Sequence, residues 1–291
     1  MVNWNPNAIT LDINRTNLKP YSIYINTNNT IYVADSENHQ ILTWLDANVS
    51  LSSSISGINS LFAVFASITG DIYIGSDTRV IAGSKWLWNT TNSTPVMSNR
   101  NACYGIFVDV SNTLYCSISA SHIVVKKWLD DGMVTPVLTA GKSSAGSDSY
   151  TLNTPRGIFV DTNFDLYVAD CGNNRVQLFP LGQLSASTVA GNGAANTIAL
   201  SCPTDVVLDG DKYLFIVDSQ NHRIVGSGPE GFRCVIGCFG PGSALNQLNN
   251  PYGIAFDSYG NIFVTDLNNN RIQKFTIATN SCSKLIATSW N

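Results

Sequence analysis

Ile262-Phe263-Val264-Thr265-Asp266-Leu267-Asn268-Asn269-Asn270-Arg271-Ile272 is one copy of a pattern that the chain repeats. Leu166-Tyr167-Val168-Ala169-Asp170-Cys171-Gly172-Asn173-Asn174-Arg175-Val176 is a second, Leu214-Phe215-Ile216-Val217-Asp218-Ser219-Gln220-Asn221-His222-Arg223-Ile224 a third, and Ile31-Tyr32-Val33-Ala34-Asp35-Ser36-Glu37-Asn38-His39-Gln40-Ile41 a fourth. Each is an apolar, β-branched and aromatic run closed by an acid, then a polar loop, then Ile or Val nine residues past the aromatic. Such runs bounded by Asn clusters read as strand, loop, strand. Two copies have drifted: Ile72-Tyr73-Ile74-Gly75-Ser76 is followed by Asp77-Thr78-Arg79-Val80, and Leu114-Tyr115-Cys116-Ser117-Ile118 by Ser121-His122-Ile123-Val124.

Working outward, the six aromatics Tyr32, Tyr73, Tyr115, Tyr167, Phe215 and Phe263 are 41, 42, 52, 48 and 48 residues apart. A first strand precedes each, with a small residue before Ile or Val: Ser22-Ile23, Ala63-Val64, Gly105-Ile106, Gly157-Ile158, Asp205-Val206 and Gly253-Ile254. Turns such as Asp161-Thr162-Asn163-Phe164-Asp165 join the first two strands as a hairpin. Third strands end at Trp44, Trp86, Trp128, Phe179 and Phe275, and fourth strands begin near Thr94, Thr135, Ser187 and Arg233. Several strands per unit at a period of 40 to 50 residues predict an all-β, six-bladed β-propeller of four-stranded antiparallel blades. The expected blades are 20–60, 61–101, 102–154, 155–202, 203–250 and 251–291, forming one domain over 1–291. Residues 1–19 hold the closing strand, Ala8-Ile9-Thr10-Leu11, expected to pair with the last blade; Lys284-Leu285-Ile286-Ala287 competes for that place. Closure matters because an open ring leaves two unpaired strand edges.

The loops Asn38-His39-Gln40-Ile41, Asn173-Asn174-Arg175-Val176, Asn221-His222-Arg223-Ile224 and Asn269-Asn270-Arg271-Ile272 resemble the NHL repeat, in which Asn, His or Asn, and a basic residue join the second and third strands. The resemblance covers blades one, four, five and six. It implies a propeller whose strand-end face serves recognition, since NHL domains of regulatory proteins bind RNA or protein there.

Composition narrows the function. Charged residues make up 12% of 291 residues, about half the usual fraction, and the net charge is -4. No chain-wide positive field exists to hold a phosphate backbone or an anionic membrane, so nucleic acid is not the expected partner. No run of eighteen apolar residues occurs, which speaks against membrane insertion, and Met1-Val2-Asn3-Trp4-Asn5-Pro6-Asn7 lacks the basic start and apolar stretch of a signal peptide. The chain reads as a monomeric domain of a larger protein. Seven cysteines, and sequons at Asn14, Asn28, Asn48, Asn89 and Asn92, are what a secreted, disulfide-bonded glycoprotein carries, with cytoplasmic residence the alternative. Cys234 and Cys238, four apart on one strand, lie too far apart to bond without a bend, so a pair of Cys202 with Cys238 or Cys234 is expected.

No cofactor, metal or catalytic residue is expected. His39, His122 and His222 all occupy one slot of the repeat, where Asn stands elsewhere, and equivalent slots on separate blades converge only near the axis. The peptidyl-amidoglycolate lyase, an NHL-like propeller, uses a histidine-ligated zinc near its axis, and this dispersed pattern does not match it. Asp35, Asp170, Asp218 and Asp266 read as turn-forming acids rather than calcium ligands.

One set stands out. The residues just before the small inner-strand positions are Tyr21, Phe62, Tyr104, Arg156, Thr204 and Tyr252. Strand polarity places all six at one mouth of the central channel, a rim suited to anchoring a protein, peptide or glycan. The expected function is therefore a non-enzymatic recognition or scaffolding module. A hydrolase or lyase with an axial metal, and an RNA-binding NHL domain, are the rival readings.

Overall fold

The computed structural model describes residues 3–11, 17–67, 70–76, 83–86, 93–97, 101–130, 132 and 135–278. The sequons at Asn14, Asn89 and Asn92, the loop Asp77-Thr78-Arg79-Val80, Cys282 and the strand proposed at Lys284-Leu285-Ile286-Ala287 lie outside the described residues.

The strands form sheets in which each pairs antiparallel with the next. In the fourth unit these are Pro155–Val160, Leu166–Asp170, Arg175–Phe179 and Ser187–Gly191, from the inner strand outward. The other inner strands are Pro20–Ile25, Leu61–Ala66, Gly105–Val108, Pro203–Leu208 and Pro251–Phe256. Each touches its two neighbours in cyclic order, the last touching the first, so the sheets surround one axis. Five sheets are continuous runs of chain. The sixth joins the two ends of the described chain: Ile9–Thr10 pairs with Arg271–Phe275, outside Ile262–Asp266 and Pro251–Phe256. The expectation of six four-stranded blades is thereby corrected to five complete blades, each one run of chain, and a sixth, composite sheet whose outer strand is two residues long. Trp4 reinforces this junction. Its indole Nε1 donates to the Gly260 carbonyl at 2.9 Å, and its ring packs on Phe215 at 5.5 Å.

The repeat residues explain the blade. At five of the inner hairpins an Asp or Asn accepts two backbone N–H groups, those of Asn163 and Asp165 on Asp161 being typical, and the fourth residue of the turn takes a positive φ. Asp109, Asp209, Asp257 and Asn26 do the same. The acid closing the second strand has a larger task. Asp170, fully buried, accepts the Asn153 backbone N–H at 2.6 Å, the Asn173 amide at 2.8 Å and Arg175 Nε at 2.8 Å. Arg175 in turn donates to the carbonyls of Ser147, Asp148 and Thr151, fixing the loop that arrives from the preceding blade. Burial is the leading influence on Asp170 and raises its pKa against the opposing hydrogen bonds and the Arg175 charge. Asp218 and Asp266 repeat this set with Arg223 and Arg271, and Asp35 does so with Gln40.

The histidine slot is equally structural. His39, His122 and His222 have φ of 53°, 57° and 56°, the left-handed region that Asn174 and Asn270 also occupy. His122 Nδ1 accepts the backbone N–H of Thr154 at 3.1 Å and His222 Nδ1 that of Asn250 at 3.0 Å, while Asn174 Oδ1 accepts that of Cys202 at 2.8 Å. In blades three, four and five the slot thus ties the blade to the entrance of the next.

Three disulfides form: Cys103–Cys116, Cys171–Cys202 and Cys234–Cys238. The expected partner of Cys202 is overturned. Cys171 follows the second strand of blade four and Cys202 precedes the inner strand of blade five, and their Cα atoms are 4.0 Å apart at the junction of the two blades. Cys234 reaches Cys238 because its strand, Arg233–Ile236, ends early and Gly237 reverses the chain at φ 74°, leaving the Cα atoms 5.9 Å apart.

Two predictions follow from these contacts. Asp266→Ala removes the acceptor of Asn249, Asn269 and Arg271 together, so urea unfolding should show a loss of about 3–5 kcal/mol. By loop-closure entropy, replacing Cys171 and Cys202 with Ser, which opens a separation of 31, should cost roughly 3–4 kcal/mol. The same change at Cys234 and Cys238, separated by 4, should cost only about 2 kcal/mol in the same assay.

Candidate binding site at the channel mouth

The rim residues owe their direction to a backbone irregularity. In five of the inner hairpins the register slips by one residue at the rim position: between Pro20 and Ile23, Leu61 and Ala63, Pro155 and Ile158, Pro203 and Asp205, and Pro251 and Ile254. Bulges of this kind re-aim a side chain, and four of them begin at a proline that has no N–H to give to the ladder.

Five of the six rim side chains meet. Tyr252 packs on Tyr21 with ring centroids 4.8 Å apart, Tyr21 on Phe62 at 5.6 Å, and Phe62 stacks on Tyr104 at 4.6 Å. The Arg156 guanidinium carbon lies 4.3 Å from the centre of the Tyr104 ring, and Nη1 donates to the Tyr252 hydroxyl at 3.4 Å. The contacts therefore return to their start, passing over blade five, where Thr204 is too short to join. Thr204 is buried instead, its hydroxyl donating to the Pro251 carbonyl at 3.4 Å. Tyr21, Phe62, Tyr104 and Arg156 remain partly exposed, whereas Tyr252 is buried. Burial, the leading cause, raises the Tyr252 hydroxyl above its ordinary pKa, and the Arg156 charge opposes this.

Two features of the channel escaped the sequence reading. Three residues beyond the rim, roughly 10 Å along each strand, stand Tyr24, Phe65, Phe107 and Phe159. Their rings pack in blade order at centroid distances of 4.2, 5.4 and 5.1 Å. An aromatic at the same offset in four successive blades was the available signal. The second feature is Asp205, which occupies the position that is glycine in blades three, four and six. Its Oδ1 accepts from Val206 and its Oδ2 from Ile254 of the next blade, and it lies so close to Gly157 that a Cβ there would collide with it. Desolvation raises its pKa to about 7, against the two backbone N–H groups that lower it.

Among the described residues, no group of three His, Cys, Asp or Glu is placed to hold a metal ion. The histidines are spread over blades one, three and five, and Nδ1 of His122 and of His222 is engaged by backbone.

The model of the NHL repeat matches residues 18–44, 152–179 and 248–275. The chain carries NHL repeats. The matched segments span blades one, four and six from the rim entrance to the end of the third strand. The fifth blade has the same Asp–Asn–Arg geometry in the structure but no match of its own. No curated protein sequence matches this NHL-repeat chain. Its fold is similar to that of an auxiliary nutrient binding protein from Bacteroides thetaiotaomicron, at 16% identity and a TM-score of 0.73 over 94% of this chain and 72% of that one. It is also similar to a catalytically inactive virginiamycin B lyase from Staphylococcus aureus with quinupristin, at 12% identity and a TM-score of 0.67 over 96% and 100%. A gluconolactonase from Xanthomonas campestris is similar at 10% identity and a TM-score of 0.70 over 93% and 89%. At these identities the likeness extends to the fold alone.

The Asp205 carboxyl gives the site a pH signature. Its folded pKa of about 7 exceeds the ordinary 3.8, so the folded state holds the proton more tightly than the unfolded chain. The stability it contributes is full below the unfolded value and is lost as pH rises through about 7. The melting temperature should rise when pH is lowered from about 8 to about 5, and Asp205→Asn should flatten that rise. An identical pH dependence in the two proteins would contradict this account.

Proposed function

We propose that the NHL-repeat chain is a non-enzymatic recognition module that binds a protein, peptide or glycan at the channel mouth formed by Tyr21, Phe62, Tyr104, Arg156 and Tyr252. The observation that carries this reading is the continuous aromatic ring closed by an arginine. Four aromatics and a guanidinium from five different blades form one partly exposed surface, the composition found in binding hot spots. The nutrient binding protein of similar fold supports a ligand-binding role, whereas the lyase and the lactonase of similar fold show that this architecture also hosts catalysis.

The module works outside the cell. Three disulfides are formed by six of the seven cysteines, as in oxidising compartments, and the sequons at Asn28 and Asn48 lie on exposed turns of blade one where a glycan meets no obstacle. Among the described residues, no helix is long and apolar enough to cross a membrane.

Capture of a partner from the extracellular medium, identified by mass spectrometry, tests the site. Replacing Tyr21, Tyr104 and Tyr252 together with Ala should reduce capture by at least about 30-fold, given hot-spot losses of 2 kcal/mol or more. A circular dichroism spectrum matching the wild type controls for the fold. Undiminished capture by a folded triple variant sinks the assignment of the mouth.

A further inference from the structure

The ring at the mouth contains one unpaired charge. Arg175, Arg223 and Arg271 each hold a carboxylate through Nε at 2.7–2.8 Å. Arg156 holds none. Its protein contacts are the face of Tyr104 and the hydroxyl of Tyr252, and its Nε is buried without a hydrogen-bond partner. Nη2 and the second hydrogen of Nη1 likewise have no protein acceptor among the described residues. Nε is enclosed by the protein, whereas Nη2 is not, so an acceptor of opposite charge from outside the protein can reach it and form a charge-assisted hydrogen bond. The guanidinium lies over the Tyr104 ring, and its two terminal nitrogens, Nη1 and Nη2, are spaced to match the two oxygens of a carboxylate.

From this we infer that the mouth takes a carboxylate, with Arg156 as its receptor and Tyr21, Phe62 and Tyr104 supporting the apolar or planar body that bears it. The inference rests on the proposed role of the mouth and names its ligand chemistry. Charge count favours a carboxylate over a phosphate. A phosphodiester backbone needs several cations in a row, whereas the mouth offers one guanidinium, and the neighbouring inner strand carries Asp205 rather than a second base. Aromatic faces beside the guanidinium suit either the terminal residue of a peptide or an acidic sugar ring, the two sources of such a group within the proposed partner classes.

The test compares acids with neutral isosteres on the whole folded chain, by calorimetry or NMR titration. N-acetyl-phenylalanine against N-acetyl-phenylalaninamide represents the peptide source, and sialyllactose against lactose the sugar source. At least one acid should bind about tenfold or more tightly than its neutral counterpart, and Arg156→Gln should bring that ratio to about one. The arm that shows the difference identifies the source. The wild-type ratio is itself diagnostic, so a variant that fails to fold does not block the test. Equal binding of acid and neutral probe in both arms overturns the carboxylate, as does absence of binding by all four. If Tyr104→Ala still weakens equal binding, the mouth survives as a site while its ligand chemistry falls. If the rim triple variant captures its partner normally, the reading of the mouth itself falls.

Discussion

In blades one, four, five and six a buried carboxylate at the end of the second strand organises the blade, and most of the architecture depends on it. Asp170, Asp218 and Asp266 are fully enclosed, and each gathers a backbone N–H from the incoming loop, an Asn amide and an Arg Nε. Burying one charge demands this completeness, since an ion removed from water must recover its hydration from fixed donors. The arginine then spends its remaining N–H groups on carbonyls of the loop from the previous blade. One acid therefore fixes the strand end, the turn after it and the connection between blades. Blade one performs the task with neutral Gln40, whose amide nitrogen donates to Asp35 at 2.8 Å where the other blades use a guanidinium.

That division of labour leaves the inner strands free to differ. Their outer partners hold them, so the positions facing the axis need only be small enough to converge, and Gly105, Gly157 and Gly253 meet the requirement. The bulges then turn one residue per blade toward the mouth without disturbing the rest of the ladder. Selection on those residues is decoupled from stability to the extent that the hydrogen-bonded scaffold lies elsewhere, which is how propellers of one architecture come to serve unrelated functions.

Much of this was legible in the sequence because it repeats. The strand with its closing acid, the Asn-rich loop and the small inner step each occur often enough to be aligned against one another, and the rim residues follow from counting back one position. Non-repeated features were not legible. Cys234 bonds Cys238 because the chain turns at Gly237, a turn that Gly141 and Gly191 repeat in the two preceding blades without cysteines on either side. Cys171 and Cys202 are neighbours only because the end of one blade abuts the entrance of the next, a proximity that the spacing of 31 residues does not express. The closing acids were read as turn formers, whereas their two oxygens divide between a distant backbone N–H and two side chains. Asp205 was counted among the small inner residues, although its charge sets it apart from them. The sixth sheet differs from the others for a reason of topology: closing a ring from one chain requires a strand from the other end, and here that strand is short.

The channel is consequently not a symmetric object. Blades one to three supply Tyr21, Phe62 and Tyr104 at the mouth and Tyr24, Phe65 and Phe107 further in, a continuous aromatic wall. Blades four and five supply Arg156, Thr204 and Asp205, the polar side. The closing acids divide differently: blade one on the aromatic side keeps Asp35, blades two and three end the second strand in Ser76 and Ile118, and among the described residues the Asp–Arg pairs at that position lie in blades four, five and six. A ring held by identical hydrogen-bonded loops would tolerate any axial residues equally in every blade. The aromatic wall runs past the two blades whose second strands end without Asp, and stacking between successive rings supplies contacts between neighbouring blades there. Arg156 stands at the boundary, its guanidinium over Tyr104, the last rim ring of the wall, and among the described residues no carboxylate answers its charge.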